Sequence, residues 1–224
     1  MTRCNLPEVR RPDNRKVTTK DLDDTRRGVA GGGRPSRHFP FQWSGGIFLT
    51  VKAADRSIVL IGFMGTGKSS VGRRLATNRG WPRLDTDAMI ANALGMRISE
   101  IFEGLGQERF REEESAILET IDPAQPAVII TGGGAILRPE NTARLHQLGT
   151  VFCLTAELPT LLERLGRRSD RPLLQTENPA ATIENLLRER APLYQEAADF
   201  TIDTTGLRHD EVAQRIEDCI ARAA

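Results

Sequence analysis

The stretch GFMGTGKSS (62–70) holds the residues best suited to chemistry in this chain. It fits G-x-x-x-x-G-K-[ST] through Gly62, Gly67, Lys68 and Ser69. Glycines let a backbone wrap an anion, so that successive N–H groups and a helix N-terminus point at phosphate oxygens. The loop residues Gly65, Thr66, Gly67, Lys68, Ser69 and Ser70 are therefore the candidate triphosphate site. Lys68 would reach the β and γ phosphates, and the Ser69 hydroxyl would face Mg²⁺. Residues 57–224 contain eighteen arginines and one lysine, and that lysine is Lys68. The loop needs a compact ammonium, and a wide guanidinium fork would not fit inside it.

Three further clusters could complete such a site. In LDTDAM (84–89), Asp85 and Asp87 bracket one residue; if the chain is still extended there, both carboxylates point the same way. Asp85 could then hold the metal while Asp87 faces a substrate, the alternative being that Asp87 caps the following helix. In GQERFREEE (106–114), Glu114 falls on the face of a helix that otherwise turns inward, and needs a partner. Arg111, three residues back, is placed to be that partner and to clamp a small anion; Glu112 and Glu113 are expected to be solvated. In VIITGGGAIL (128–137), an apolar run ends in Gly132, Gly133 and Gly134 where many nucleotide-binding strands end in a carboxylate. Something must approach that backbone closely, unless the glycines only make a tight turn. The segment RLGRRSDRPLL (164–174) carries four arginines in eight residues. It reads as a solvated charge run or, beside a phosphate loop, as a mobile lid.

The elements that must position these groups alternate. Short apolar runs at 57–61, 127–131 and 150–154 read as buried strands, with a weaker strand at 81–84 assigned from its position and a last one at 200–202. Helical periodicity covers 68–79 and 107–121, and Val212, Ile216, Cys219 and Ile220 mark a closing helix. This order predicts an α/β domain with a parallel sheet covered on both faces and ligands beyond the carboxyl ends of its strands.

The blocks GFMGTGKSS, DTD, FREEE, TGGGA, RPLL (171–174) and RAPLY (190–194) together resemble shikimate kinase in order and spacing, across residues 57–206. The first block is common to many families; the set of the other five is specific. The resemblance implies a P-loop fold similar to the nucleoside monophosphate kinases, with a five-stranded parallel sheet and a mobile lid. It implies transfer of the γ-phosphoryl of ATP, with Mg²⁺, to the 3-hydroxyl of shikimate, within aromatic amino-acid biosynthesis. It also implies roles. Asp87 would bind ring hydroxyls and act as base, Arg111 and Arg190 would hold the carboxylate, and Gly133 would present its backbone to the substrate, whose ring would take the space that a side chain at Gly132, Gly133 or Gly134 would fill. Arg171 would stabilise the transferring phosphoryl, and Arg164 would lie against adenine. The family's second adenine contact falls near Leu207–Arg208, where the match fades. A kinase for another hydroxy acid, such as gluconate, is the rival enzyme.

The totals bound these readings. The chain has 224 residues, 39% hydrophobic and 27% charged, as in ordinary soluble domains, with no run long enough to span a membrane. Its three cysteines are far apart and suggest neither disulfides nor zinc, which points to the reducing cytoplasm. Residues 1–56 carry twelve Lys/Arg against six Asp/Glu, whereas the rest carry nineteen against twenty-four. The expectation is an N-terminal extension without regular structure, or a start assigned too early, before a kinase domain at 57–224. A basic arm touching nucleic acid is the alternative, but the acidic body gives it no support. A regulator would need a helix-turn-helix upstream, and 1–56 shows none. Expected partners are ATP and shikimate alone, with no nucleic acid or membrane, and the protein is expected to be a monomer.

Overall fold

A computed structural model of the chain describes residues 56–166 and 178–223. The elements are β1 (Ser57–Gly62), α1 (Lys68–Arg79), β2 (Arg83–Asp85), α2 (Thr86–Leu94), α3 (Ile98–Gly104) and α4 (Gly106–Thr120). They continue with β3 (Val128–Ile130), a 3-10 turn (Ala135–Leu137), α5 (Pro139–Leu148), β4 (Gly149–Thr155), α6 (Leu158–Gly166), α7 (Pro179–Ala197), β5 (Phe200–Asp203) and α8 (His209–Ala223). The sheet runs β2-β3-β1-β4-β5 with every pair parallel, as the alternating pattern predicts.

β1 lies at the centre because it can be buried on both faces. Ile58 and Leu60 join Val71, Leu75, Val212 and Ile216 under α1 and α8. Val59 and Ile61 join Leu118, Leu145, Leu161 and Ile183 on the opposite side, under α4 to α7. All four strand residues are fully buried, each contributing about 1.5–3 kcal/mol, so β1 is costly to disturb. A third, smaller cluster of Ile90, Ile101 and Phe110 ties α2, α3 and α4 together, with Phe102 stacked on Phe110 at 4.6 Å.

Two local readings are corrected. The second strand is Arg83–Asp85 rather than 81–84, because Trp81 leaves the sheet to lie under the Arg79 guanidinium at 4.6 Å. The chain does not stay extended through DTD. Helix α2 begins at Thr86, and Asp85, not Asp87, is its N-cap, accepting from the Ala88 N–H at 3.4 Å. Asp87 sits in the first turn instead, where a carboxylate is favoured by the helix dipole. The lid segment falls largely within 167–177, and Arg171 with it, outside the described residues.

Candidate active site

The phosphate loop leaves β1 at its carboxyl end. Gly62 (φ 135°), Gly65 (φ 83°) and Gly67 (φ 94°) all take backbone conformations that L side chains rarely adopt. A Cβ on Gly62 would also collide with the Leu154 carbonyl of β4, so this position demands glycine twice over. The Thr66 hydroxyl donates to the Phe63 carbonyl at 2.8 Å and closes the loop on itself. Lys68 is buried with its ammonium inside the loop, donating to the carbonyls of Gly62 at 2.7 Å and Phe63 at 2.9 Å. No side chain caps α1, so its N-terminus stays available to an anion; Ser69 there is exposed and Ser70 half-buried.

Arg164, at the end of α6, donates to the Gly65 carbonyl at 3.3 Å and to both the hydroxyl (3.0 Å) and carbonyl (2.9 Å) of Thr204. It is thereby fixed against the loop. His209 at the start of α8 approaches from the same side: a Cβ on Gly67 would lie 3.5 Å from its ring. The sequence pattern near Leu207–Arg208 fades one residue short of it.

The second half of the site gathers around the glycine triplet. β3 is in register with β1 (Leu60 with Ile130) and with β2 (Asp85 with Ile130), so the triplet and the DTD block emerge at the same sheet edge as the phosphate loop. None of the three glycines has a positive φ. Their reason is close approach. A Cβ on Gly132 would stand 2.6 Å from Asp87 Oδ1 and 2.7 Å from Glu114 Oε1, and one on Gly134 would overlap the Arg111 guanidinium. Gly133 differs: its Cβ would make ordinary contacts of 3.6 Å with the Tyr194 hydroxyl and 3.7 Å with Gly62 O and Met64 N. At the outer two positions, then, the protein's own side chains fill the space that the sequence reading reserved for a ligand. The Gly132 N–H donates to the buried Thr86 hydroxyl at 3.3 Å, which fixes the start of the turn to α2.

Arg111 and Glu114 pair inside, as their spacing on α4 predicts, with Nη1 donating to Oε2 at 2.5 Å. Glu112 and Glu113 pair instead with Arg109; Glu112 is exposed as expected, whereas the Glu113 side chain is largely covered, at 16% exposure. Burial holds the Glu114 carboxyl above the usual carboxylate range, the neighbouring Asp87 pushing the same way, while Arg111 and Arg190 oppose it. Glu114 Oε1 and Arg111 Nε are buried with no hydrogen-bond partner among the described residues. The cradle therefore retains donor and acceptor capacity for a small polar ligand.

Arg190 on α7 reaches the cradle from the far side, donating to the Gly133 carbonyl at 3.3 Å. Tyr194, which the sequence reading passed over, donates to the same carbonyl at 2.6 Å. Its position four residues after Arg190 puts it on the same helix face, which is the one signal that could have identified it.

Asp85 and Ser69 offer only oxygen donors. The long cap bond uses one Asp85 oxygen, and Ser69 stands at the helix terminus where phosphates would bind. Mg²⁺ takes such a set, being held by one or two carboxylate or hydroxyl oxygens together with phosphates and waters. The donor chemistry fits. Among the described residues there is no group of three or more His, Cys, Asp or Glu that could hold a metal by itself, and no helix long and apolar enough to cross a membrane.

Comparison with known proteins bears on this geometry. A model of the shikimate kinase family matches residues 64–221. The shikimate kinase of Thermodesulfovibrio yellowstonii is 51% identical over 161 residues, covering 72% of this chain and 92% of that protein. That of Rhodopseudomonas palustris is 44% identical, over 75% of this chain and 80% of its own. Among solved structures, shikimate kinase from Acinetobacter baumannii in complex with shikimate superposes with a TM-score of 0.71 at 40% identity, covering 75% of this chain and 93% of that one. The shikimate kinase of Aquifex aeolicus gives a TM-score of 0.62 at 30% identity, over 74% and 96% of the two chains.

Proposed function

The chain belongs to the shikimate kinase family, and from that premise we propose that it transfers the γ-phosphoryl group of ATP to the 3-hydroxyl of shikimate, giving ADP and 3-phosphoshikimate for aromatic amino-acid biosynthesis. One observation carries the reading: the glycine triplet touches every acceptor-side candidate. Gly132 lies against Asp87 and Glu114, Gly134 against Arg111, and the Gly133 carbonyl holds Arg190, while a Cβ on Gly133 would be 3.7 Å from the phosphate loop. Two guanidiniums and a carboxylate are the complement of an acid that carries neutral hydroxyls.

Phosphoryl transfer asks for positioning and for cations around developing charge rather than for covalent help from the protein. Lys68 and the N-terminus of α1, with Gly65, Thr66, Gly67, Ser69 and Ser70, hold the phosphates, and Arg164 lies against the base. Ser69 and Asp85 would hold Mg²⁺, which when bound neutralises charge on the β and γ oxygens. Arg111 and Arg190 fix the acceptor carboxylate, and buried Glu114 braces Arg111. Asp87 accepts the proton of the attacking hydroxyl as its oxygen bonds to phosphorus and the bond from phosphorus to the ADP oxygen breaks. Arg171 supplies a cation to the transferring group. The enzyme works as a cytoplasmic monomer.

A coupled ADP-release assay on shikimate, quinate and gluconate, with and without Mg²⁺, tests this. Turnover should be fastest on shikimate and lost on chelation; preference for gluconate would overturn the assignment.

A further inference from the structure

Tyr194 is the chain's one tyrosine, 5% exposed, and its hydroxyl spans 61 residues of sequence to reach the Gly133 carbonyl at 2.6 Å. That carbonyl has two lone pairs, and the second takes Arg190 at 3.3 Å. The two bonds are unequal: one is short and comes from a buried phenol, the other is long and comes from a half-exposed guanidinium. Between the two donors lies Pro192, within α7. It has no N–H to give the Arg188 carbonyl, so the helix turn that carries Arg190 is weakened where a ligand-holding arginine needs support.

We infer that Tyr194 is a positioning residue for the acceptor side, its hydroxyl holding the Gly133 carbonyl so that Arg190 is placed for, and free to turn to, the hydroxy acid's carboxylate. This rests on the kinase reading above. Burial pushes the Tyr194 phenol well above its ordinary range, so it remains a donor at any working pH. Without that hydroxyl the Gly133 carbonyl has Arg190 as its remaining side-chain donor, and carbonyl and substrate carboxylate compete for one guanidinium. The phosphate loop draws on other contacts, so the nucleotide side should not register the change.

The test is Tyr194→Phe in the full chain, which keeps the ring and removes the oxygen. Steady-state kinetics with each substrate varied, and calorimetric titration of shikimate, should show KM and Kd for shikimate raised about tenfold. KM for ATP and kcat should stay within twofold. Combined with Arg190→Lys, the two losses should be less than additive, since both act through one carbonyl. An unmoved KM for shikimate, equal rises for both substrates, or a variant without native far-UV circular dichroism would each show a general structural role and overturn the inference. A wild-type enzyme that fails to turn over shikimate overturns the kinase reading, and this inference with it. That result is read before any variant is compared.

Discussion

Gly134→Ala puts the cradle under a defined load. The added methyl would overlap the terminal carbon and both terminal nitrogens of Arg111, which is 9% exposed and bound to Glu114 at 2.5 Å. The guanidinium must move by roughly an ångström, and a misplacement of that size at a positioned group costs about 100-fold in rate. Losing its partner leaves the fully buried Glu114 carboxylate uncompensated, at about 3–5 kcal/mol. Protonation of Glu114, already favoured by burial, offsets part of this, so about 3 kcal/mol is a fair expectation. In a domain of this size that corresponds to a fall in Tm of about 6–12 °C. Gly133→Ala is the control, since its methyl meets nothing closer than 3.6 Å. It should keep Tm within about 3 °C and lose affinity for the hydroxy acid only if the substrate lies over that backbone. Thermal melts and kcat/KM for shikimate on both variants decide the matter. A Gly134→Ala enzyme with native Tm and kcat/KM within threefold of wild type would refute the close-approach account.

Lys68→Ala should fold and lose kcat by orders of magnitude, because the loop then lacks its one ammonium; near-normal turnover with native circular dichroism would remove Lys68 from the mechanism. Glu114→Gln tests the direction of a titration. The folded state holds the Glu114 proton above the ordinary 4.5, so wild-type stability relative to the Gln variant should fall as pH rises past 4.5, as paired melts between pH 4.5 and 8 would show. A difference in Tm that grows in the wild type's favour over that range would contradict the burial argument. Removal of residues 1–55 should leave kcat and both KM values within twofold; an insoluble or inactive product would show that the extension belongs to the domain.

What the sequence revealed about the site divides by distance along the chain. The phosphate loop was legible because its residues are contiguous and its glycines are required by local backbone geometry. The Arg111–Glu114 pair was legible because three residues on a helix are neighbours wherever that helix goes. Asp85 and Asp87 were misread at the level of local structure: the helix starts at Thr86, two residues earlier than an extended DTD allows, and that exchanges the capping role. The bonds from Tyr194 to Gly133 and from Arg164 to Thr204 depend on how α7 and β5 sit against other parts of the fold, and no periodicity encodes them. The glycine triplet was identified as a place of close approach, but the approaching groups proved to be Asp87, Glu114 and Arg111.

The division of the interior into unequal clusters has a dynamic consequence. β1, from which the phosphate loop springs, is hydrogen-bonded on both edges and covered on both faces, so the amides of β1 should exchange only when the whole domain opens. Asp87 and Arg111 ride on α2 and α4, whose shared contacts with α3 centre on Ile90, Ile101 and Phe110. So small a nucleus can part at a fraction of the global unfolding free energy. The acceptor-binding half can therefore breathe while the nucleotide-gripping half stays shut, which would admit a rigid ring without loosening the grip on a triphosphate.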